Sequence, residues 1–242
     1  MNLLIAGLAL ADPSDAEPFV VAAAHFGESN TDARGAAEAL NGVRADVVVI
    51  TGCSRASLAE ETLAVGGYRL LADGRDPTPT GICLVGRVDA DAAIVPAPWS
   101  SACSGPLAVG RFSAGEGSLV VIGAHLPSRL PACGEGGKLA VRALAALVEG
   151  GRLRAPFGPG KPGDAVVVAG NLNTGGRQLA PLVASGLGSG GGGRPAPTWF
   201  LGPFGLTLDH VLVPASWQLE STSVFELPGS SHRGVVAGFF AQ

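Results

Sequence analysis

Positive charge is scarce in this chain. Only 16 of 242 residues are Lys or Arg, set against 20 Asp or Glu, and the formal net charge is −4. A polynucleotide binder neutralises phosphates with grouped basic side chains. No such group is present, so bulk nucleic acid is set aside as a partner, although a small phosphorylated ligand or a protein partner is not. Aromatics are also few, with one Tyr, nine Phe and three Trp, which leaves little material for stacking successive bases. No apolar run reaches the ~20 residues of a membrane span. The nearest is "NLLIAGLALA" at residues 2–11. No basic residue precedes it, so residues 1–18 are expected to form an N-terminal arm or extra strand rather than a signal peptide. Cytoplasm is then the default compartment, with a weak export signal as the alternative. The four cysteines, Cys53, Cys83, Cys103 and Cys133, show no metal-type spacing. They read as buried free thiols, with a Cys103–Cys133 bridge as the alternative in an exported protein.

What the chain does have is apolar material. Hydrophobic residues make up 47% and charged residues only 15%, enough for a large core. With 37 Gly and 18 Pro, many turns are expected between short elements. Val- and Ile-rich runs recur at residues 19–26, 45–52, 80–88, 117–126, 164–172, 208–213 and 233–240, and each reads as a strand. Two stretches carry helical patterning. "TDARGAAEALNGV" opens on Thr31 or Asp32 as N-cap, and "GKLAVRALAALVEGG" closes on a Gly pair, as helix ends prefer. The mixture predicts an α/β layered architecture with helices outside. The Gly-rich "SGLGSGGGGRPAP" lacks the Lys-Ser/Thr of a phosphate loop and reads as a surface loop.

Several strand ends, taken in order, resemble the motif set of the endonuclease/exonuclease/phosphatase superfamily, the fold of deoxyribonuclease I. "ADVVVITGCS" is similar to its "PDVVxLQE" strand, "VVIGAHLPS" to "VxNTHL", "VVVAGNLNT" to "xxxxGDFNT", "LTLDHVLVPASW" to "xxIDHIxV", and "LPGSSHRGVVAGF" to "xxSDHxPVxAxF"; "TGICLVGR" is a looser match to "GxAILSR". The resemblance covers roughly residues 19–240 and implies one domain over 19–242. The implied fold is a four-layer α/β sandwich of two mainly antiparallel central sheets with outer helices and a site at one end. In active members carboxylates hold Mg²⁺ or Mn²⁺ against a phosphate. There the "SDH" His, paired to the "IDH" Asp, is the acid/base element, and the "GDxN" Asp activates water.

The resemblance assigns His125, Asn173, Asp209 and His232 to retained site positions, with His210 following Asp209. The departures fall on the carboxylates. Gly52 stands for the Glu of "LQE", Asn171 for the Asp of "GDFN" and Ser231 for the Asp of "SDH". His25 falls on the Asn that ends the first strand; Gly7 would take that place if "MNLLIAGLA" were the strand, but residues 19–26 give the better spacing to Gly52. Asn keeps the shape of Asp without its charge, Gly offers no ligand, and a hard cation needs anionic oxygens. The first expectation is therefore a lost Mg²⁺-dependent phosphoesterase that acts through binding or a partner, with no cofactor. The second is an active hydrolase or other enzyme on a rearranged pocket of His125, Asn173, Asp209 and His232, with His25 as a further member; Asn171 is counted with these residues in the degenerate pocket. Its metal, if any, would be Mg²⁺, Mn²⁺, or a Zn²⁺ held by His25, His125 and His232. Glu28 as a replacement ligand, Cys53 as a thiol nucleophile, and Arg129 and Arg233 as anion contacts are subsidiary candidates.

Overall fold

The computed structural model describes residues 17–27, 30–76, 80–99, 105–114, 117–128, 133, 136–150, 164–189 and 196–240. The elements in chain order are β1 (Phe19–His25), α1 (Ala33–Val43), β2 (Val47–Thr51), α2 (Glu60–Val65), β3 (Arg69–Gly74), β4 (Ile82–Gly86), β5 (Asp91–Val95), β6 (Leu107–Ala114), β7 (Gly117–Gly123), α3 (Gly136–Glu149), β8 (Ala165–Asn171), α4 (Ala180–Ala184), β9 (Leu187–Gly188), β10 (Trp199–Leu201), β11 (Phe204–Leu206), β12 (Asp209–Pro214), β13 (Gln218–Phe225) and β14 (Gly234–Phe240).

Two six-stranded sheets face each other, ordered β13-β14-β1-β2-β4-β3 and β5-β6-β7-β8-β12-β9. Each has one parallel pair, β1 with β2 and β7 with β8, and the other pairings are antiparallel. In each case a helix returns the chain between the parallel strands, α1 in one sheet and α3 in the other, as parallel pairing requires.

Strand alternation sorts the side chains into three apolar layers. Val21, Val47, Val49 and Leu84 of the first sheet meet Phe112, Val121, Val167 and Val211 of the second. Their strand neighbours Ala22, Ala24, Val48 and Ile50 turn outward onto Ala36, Ala37 and Leu40 of α1. Val120, Ile122 and Val168 do the same against Ala140, Val141 and Leu144 of α3. The result is helix, sheet, sheet, helix. Asp32 caps α1, its carboxylate accepting from Gly35 N at 2.8 Å, which satisfies one of the orphan donors of the first turn.

The free-thiol expectation is corrected. Cys53, just past β2, and Cys83 on β4 are joined as a disulfide with Cα atoms 5.9 Å apart. The β2–β4 register pairs Ile50 with Cys83, which brings the end of β2 over that strand. Cys133 is also disulfide-bonded, while Cys103 lies outside the described residues, as does the expected arm up to residue 16. Among the described residues no helix is long and apolar enough to cross a membrane.

Candidate functional site

The ends of β1, β2 and β8 and the starts of β12 and β14 gather at one end of the sandwich. His25 closes β1 beside Thr51, which closes its parallel neighbour β2. Asn171 closes β8 opposite Asp209, the first residue of β12. His125 follows β7 by two residues, and His232 precedes β14 by two. Sequence reasoning therefore selected residues from six separate segments that the fold brings together.

Three imidazoles form the centre. The His25 ring lies 4.4 Å from that of His232 and 5.2 Å from that of His125, centroid to centroid, and all three residues are buried. His25 Nδ1 shares a hydrogen bond with Thr51 Oγ1 at 3.0 Å. Burial, then the neighbouring His125 and His232, hold the His25 pKa well below the ordinary imidazole value, so it is neutral near pH 7. His232 Nδ1 donates to Asp209 Oδ2 at 2.7 Å, which orients the ring and leaves Nε2 away from the carboxylate. Asp209 Oδ1 is buried without a hydrogen-bond partner among the described residues.

The asparagines serve the loop. Asn171 Oδ1 accepts from Asn173 N at 2.9 Å, and Asn173 Nδ2 donates to Leu126 O at 2.9 Å. Asn173 sits at φ 47, a left-handed conformation that Asn tolerates. Asn171 is neutral, and its carbonyl oxygen, already accepting one hydrogen bond, is a weaker cation ligand than a carboxylate.

A divalent cation of the kind the family uses does not fit this donor set. Gly52 brings no side chain, and at φ +69 a Cβ there would stand 2.6 Å from Gly27 N. Backbone fills the space from which a Glu would reach in. Ser231 is exposed. Asp209 is the one motif carboxylate left, and His232 holds it. Among the described residues no three His, Cys, Asp or Glu side chains are placed to hold a metal ion, the three histidines included.

The remaining candidates separate from the cluster. His210, next to Asp209 on β12, points to the other face by strand alternation, and its Nε2 lies 2.7 Å from Thr174 O. Burial, its largest influence, lowers the His210 pKa. Cys53 is removed as a nucleophile by its disulfide. Arg233 pairs with Glu226 at 2.8 Å, and its guanidinium lies 4.8 Å over the Phe200 ring. Glu28 and Arg129 lie outside the described residues. A cavity of about 360 Å³ lined by Leu58, Leu63, Tyr68, Leu70 and Val85 sits under α2 and belongs to none of this chemistry.

Three supporting residues were not anticipated. Thr51 holds His25, Thr198 Oγ1 accepts from Asp209 N at 3.1 Å, and Ser230 Oγ donates to His25 O at 2.6 Å while accepting from His232 N at 2.9 Å. Thr51 and Ser230 lie within one or two residues of a motif position, and that adjacency was the available signal. Thr198 has no such neighbour in the sequence.

The profile of the endonuclease/exonuclease/phosphatase family matches residues 23–232. No curated protein matches the sequence. Among solved structures, a truncated TDP2 from Caenorhabditis elegans superposes with a TM-score of 0.70 at 15% identity, covering 92% of this chain and 97% of that one. The 3′ phosphatase NExo from Neisseria, bound to product DNA hairpin, gives 0.68 at 17% over 92% and 100%. Sphingomyelinase C from Streptomyces griseocarneus gives 0.63 at 16% over 92% and 95%. At such identities these likenesses speak for the fold, and the profile match across most of the chain carries the assignment: the protein belongs to the endonuclease/exonuclease/phosphatase family.

Proposed function

We propose that this domain has lost the metal-dependent phosphoester hydrolysis of its family and acts by binding, through a protein partner or a small phosphorylated ligand. The carrying observation is the close packing of Gly52 on Gly27, which occupies the place of a metal-binding Glu. Asn171 and Ser231 add two neutral positions where the family has carboxylates. The scarcity of clustered Lys and Arg argues against bulk nucleic acid as the ligand. The Cys53–Cys83 disulfide supports an oxidising compartment over the cytoplasm.

The test is calorimetric titration of the metal-stripped protein with Mg²⁺, Mn²⁺ and Zn²⁺, repeated on His125→Ala. No heat at millimolar Mg²⁺ or Mn²⁺, and no Zn²⁺ heat that depends on His125, is the expected result. Stoichiometric binding lost in the variant would overturn the reading.

One observation favours a second reading, an enzyme on the rearranged pocket. The Asp209–His232 pair is intact at 2.7 Å, and a carboxylate-oriented imidazole is the base unit of many catalysts. On this reading His232 is the base, with His125 and Asn173, and His25 beside them, lining the substrate site. Turnover of a phosphoester by the metal-stripped protein, abolished in His232→Ala, would establish it.

A further inference from the structure

Four of the seven exposed large apolar side chains among the described residues, Phe200, Leu201, Phe204 and Leu206, belong to one eight-residue segment. That segment is the two-stranded hairpin β10–β11, paired as Trp199↔Leu206, Phe200↔Gly205 and Leu201↔Phe204. Strand alternation divides it sharply. Phe200 and Gly205 face one way, toward Arg233 and Pro197; a Cβ on Gly205 would stand 2.5 Å from Pro197, so this face is covered at Gly205 while Phe200 stays partly exposed. Trp199, Leu201, Phe204 and Leu206 share the other face. There Leu201 is 66% exposed and Phe204 73%.

The hairpin is fixed to the body at its base. Trp199 bridges His232, Arg233 N donates to Thr198 O at 2.7 Å, and Thr198 N donates to Leu206 O at 2.9 Å. The apolar face is thus presented by an anchored element. Anchored apolar faces of this kind mark interaction surfaces.

We propose that this face is a self-association surface, covered in solution by the same face of a second copy around a two-fold axis. Charge argues for that occupant. Residues 199–206 contain no ionisable side chain, so the face meets itself without like-charge repulsion although each chain carries −4. A bilayer is a poorer match, because interfacial anchors pair apolar residues with Lys or Arg at the headgroups. Among the described residues, Arg233 lies against Phe200 on the opposite face and is paired with Glu226. Area argues the same way and sets the strength. Leu201, Phe204 and Leu206 expose on the order of 400 Å² together, so a symmetric pair covers on the order of 1,000 Å² once Trp199 is included, the lower bound for a specific interface. The association is therefore weak and concentration-dependent. It stands independently of whether the histidine pocket is catalytic.

The experiment is sedimentation velocity on the full chain across about three decades of concentration centred on the micromolar range. It compares the parent protein with Leu201→Lys/Phe204→Lys, with Phe204→Ser as a milder variant, and with Val65→Lys/Val183→Lys as a control at exposed apolar positions elsewhere. Circular dichroism establishes that each variant is folded. The expected result is a weight-average mass rising toward twice the monomer in the parent and control, with both hairpin variants remaining monomeric. A parent monomeric throughout overturns the proposal. So does a dimer indifferent to the hairpin substitutions, or a monomer that instead floats with phosphatidylcholine vesicles in a Phe204-dependent way.

Discussion

His232 and Asp209 meet 2.7 Å apart across the start of β12 and the approach to β14, with the carboxylate the more deeply buried of the two. These strands lie in opposite sheets, so the contact ties the two halves of the sandwich whether or not it has a chemical role. Asp209→Ala leaves His232 Nδ1 as an unsatisfied buried donor, a loss of about 1–3 kcal/mol. Urea unfolding should show it as a lower midpoint with an unchanged slope. An unaltered midpoint would mean that the pair contributes nothing to stability and is retained for another reason.

Gly52→Glu restores the family residue without restoring the site. A side chain at φ +69 is strained, and its Cβ meets Gly27 N, so a cost of at least about 2 kcal/mol and a Tm lower by roughly 4–8 °C are expected. Mg²⁺ should not raise that Tm. A Mg²⁺-dependent rise would show that the β1 loop gives way and that the site is still convertible.

The Cys53–Cys83 bridge closes a loop with a sequence separation of 30. Chain-entropy reasoning gives it about 3–4 kcal/mol. Cys53→Ala/Cys83→Ala should lose roughly that much in equilibrium unfolding, and thiol titration of the unreduced, unfolded parent should find neither sulfur reactive. Recovery of either as a free thiol contradicts the disulfide.

Acid should destabilise the fold through its buried imidazoles. His25 and His210 both have folded pKa values below the ordinary 6.5. Below that pH the unfolded chain takes up protons that the folded chain refuses. Stability is therefore full above about pH 7 and falls toward pH 5, by at most about 1.4 kcal/mol per pH unit for each such group. His25→Asn should flatten part of this slope in urea midpoints measured from pH 7.5 to 5. An identical slope in the variant would remove His25 from the account.

Much of this arrangement is legible in the sequence. The Val-rich strands can be read within a few residues of their ends, because strands buried on both faces are continuous apolar runs. The site residues are legible because they sit at those strand ends in a recognisable order. Other elements escape for physical reasons. β13, with the sequence QLESTSVF, is an edge strand whose side chains are mostly exposed, so no apolar alternation marks it. The hairpin "WFLGPFGL" is not among the strand-like runs read from the sequence and shows itself only in the pairing of Trp199 with Leu206. The disulfide depends on β2 lying beside β4, a pairing between distant segments that no spacing of cysteines reveals. That Gly52 is closed over by Gly27, rather than opening a hole, is likewise a fact of two loops.

The packing of Gly27 on Gly52 also bears on how this sequence can change. In the genetic code a Gly-to-Glu change can be a single step, as can Asn171→Asp at the same end of the sandwich. The fold makes them interdependent. Glu at position 52 needs the β1 loop displaced, and that loop is fastened by Phe26 N donating to Thr51 O at 2.8 Å and by Ser230 on His25 O. Asp at 171 alone adds a negative charge beside Asp209 with no cation to offset it. Neither substitution is therefore accommodated by itself, and position 52, position 171 and the β1 loop would have to change together.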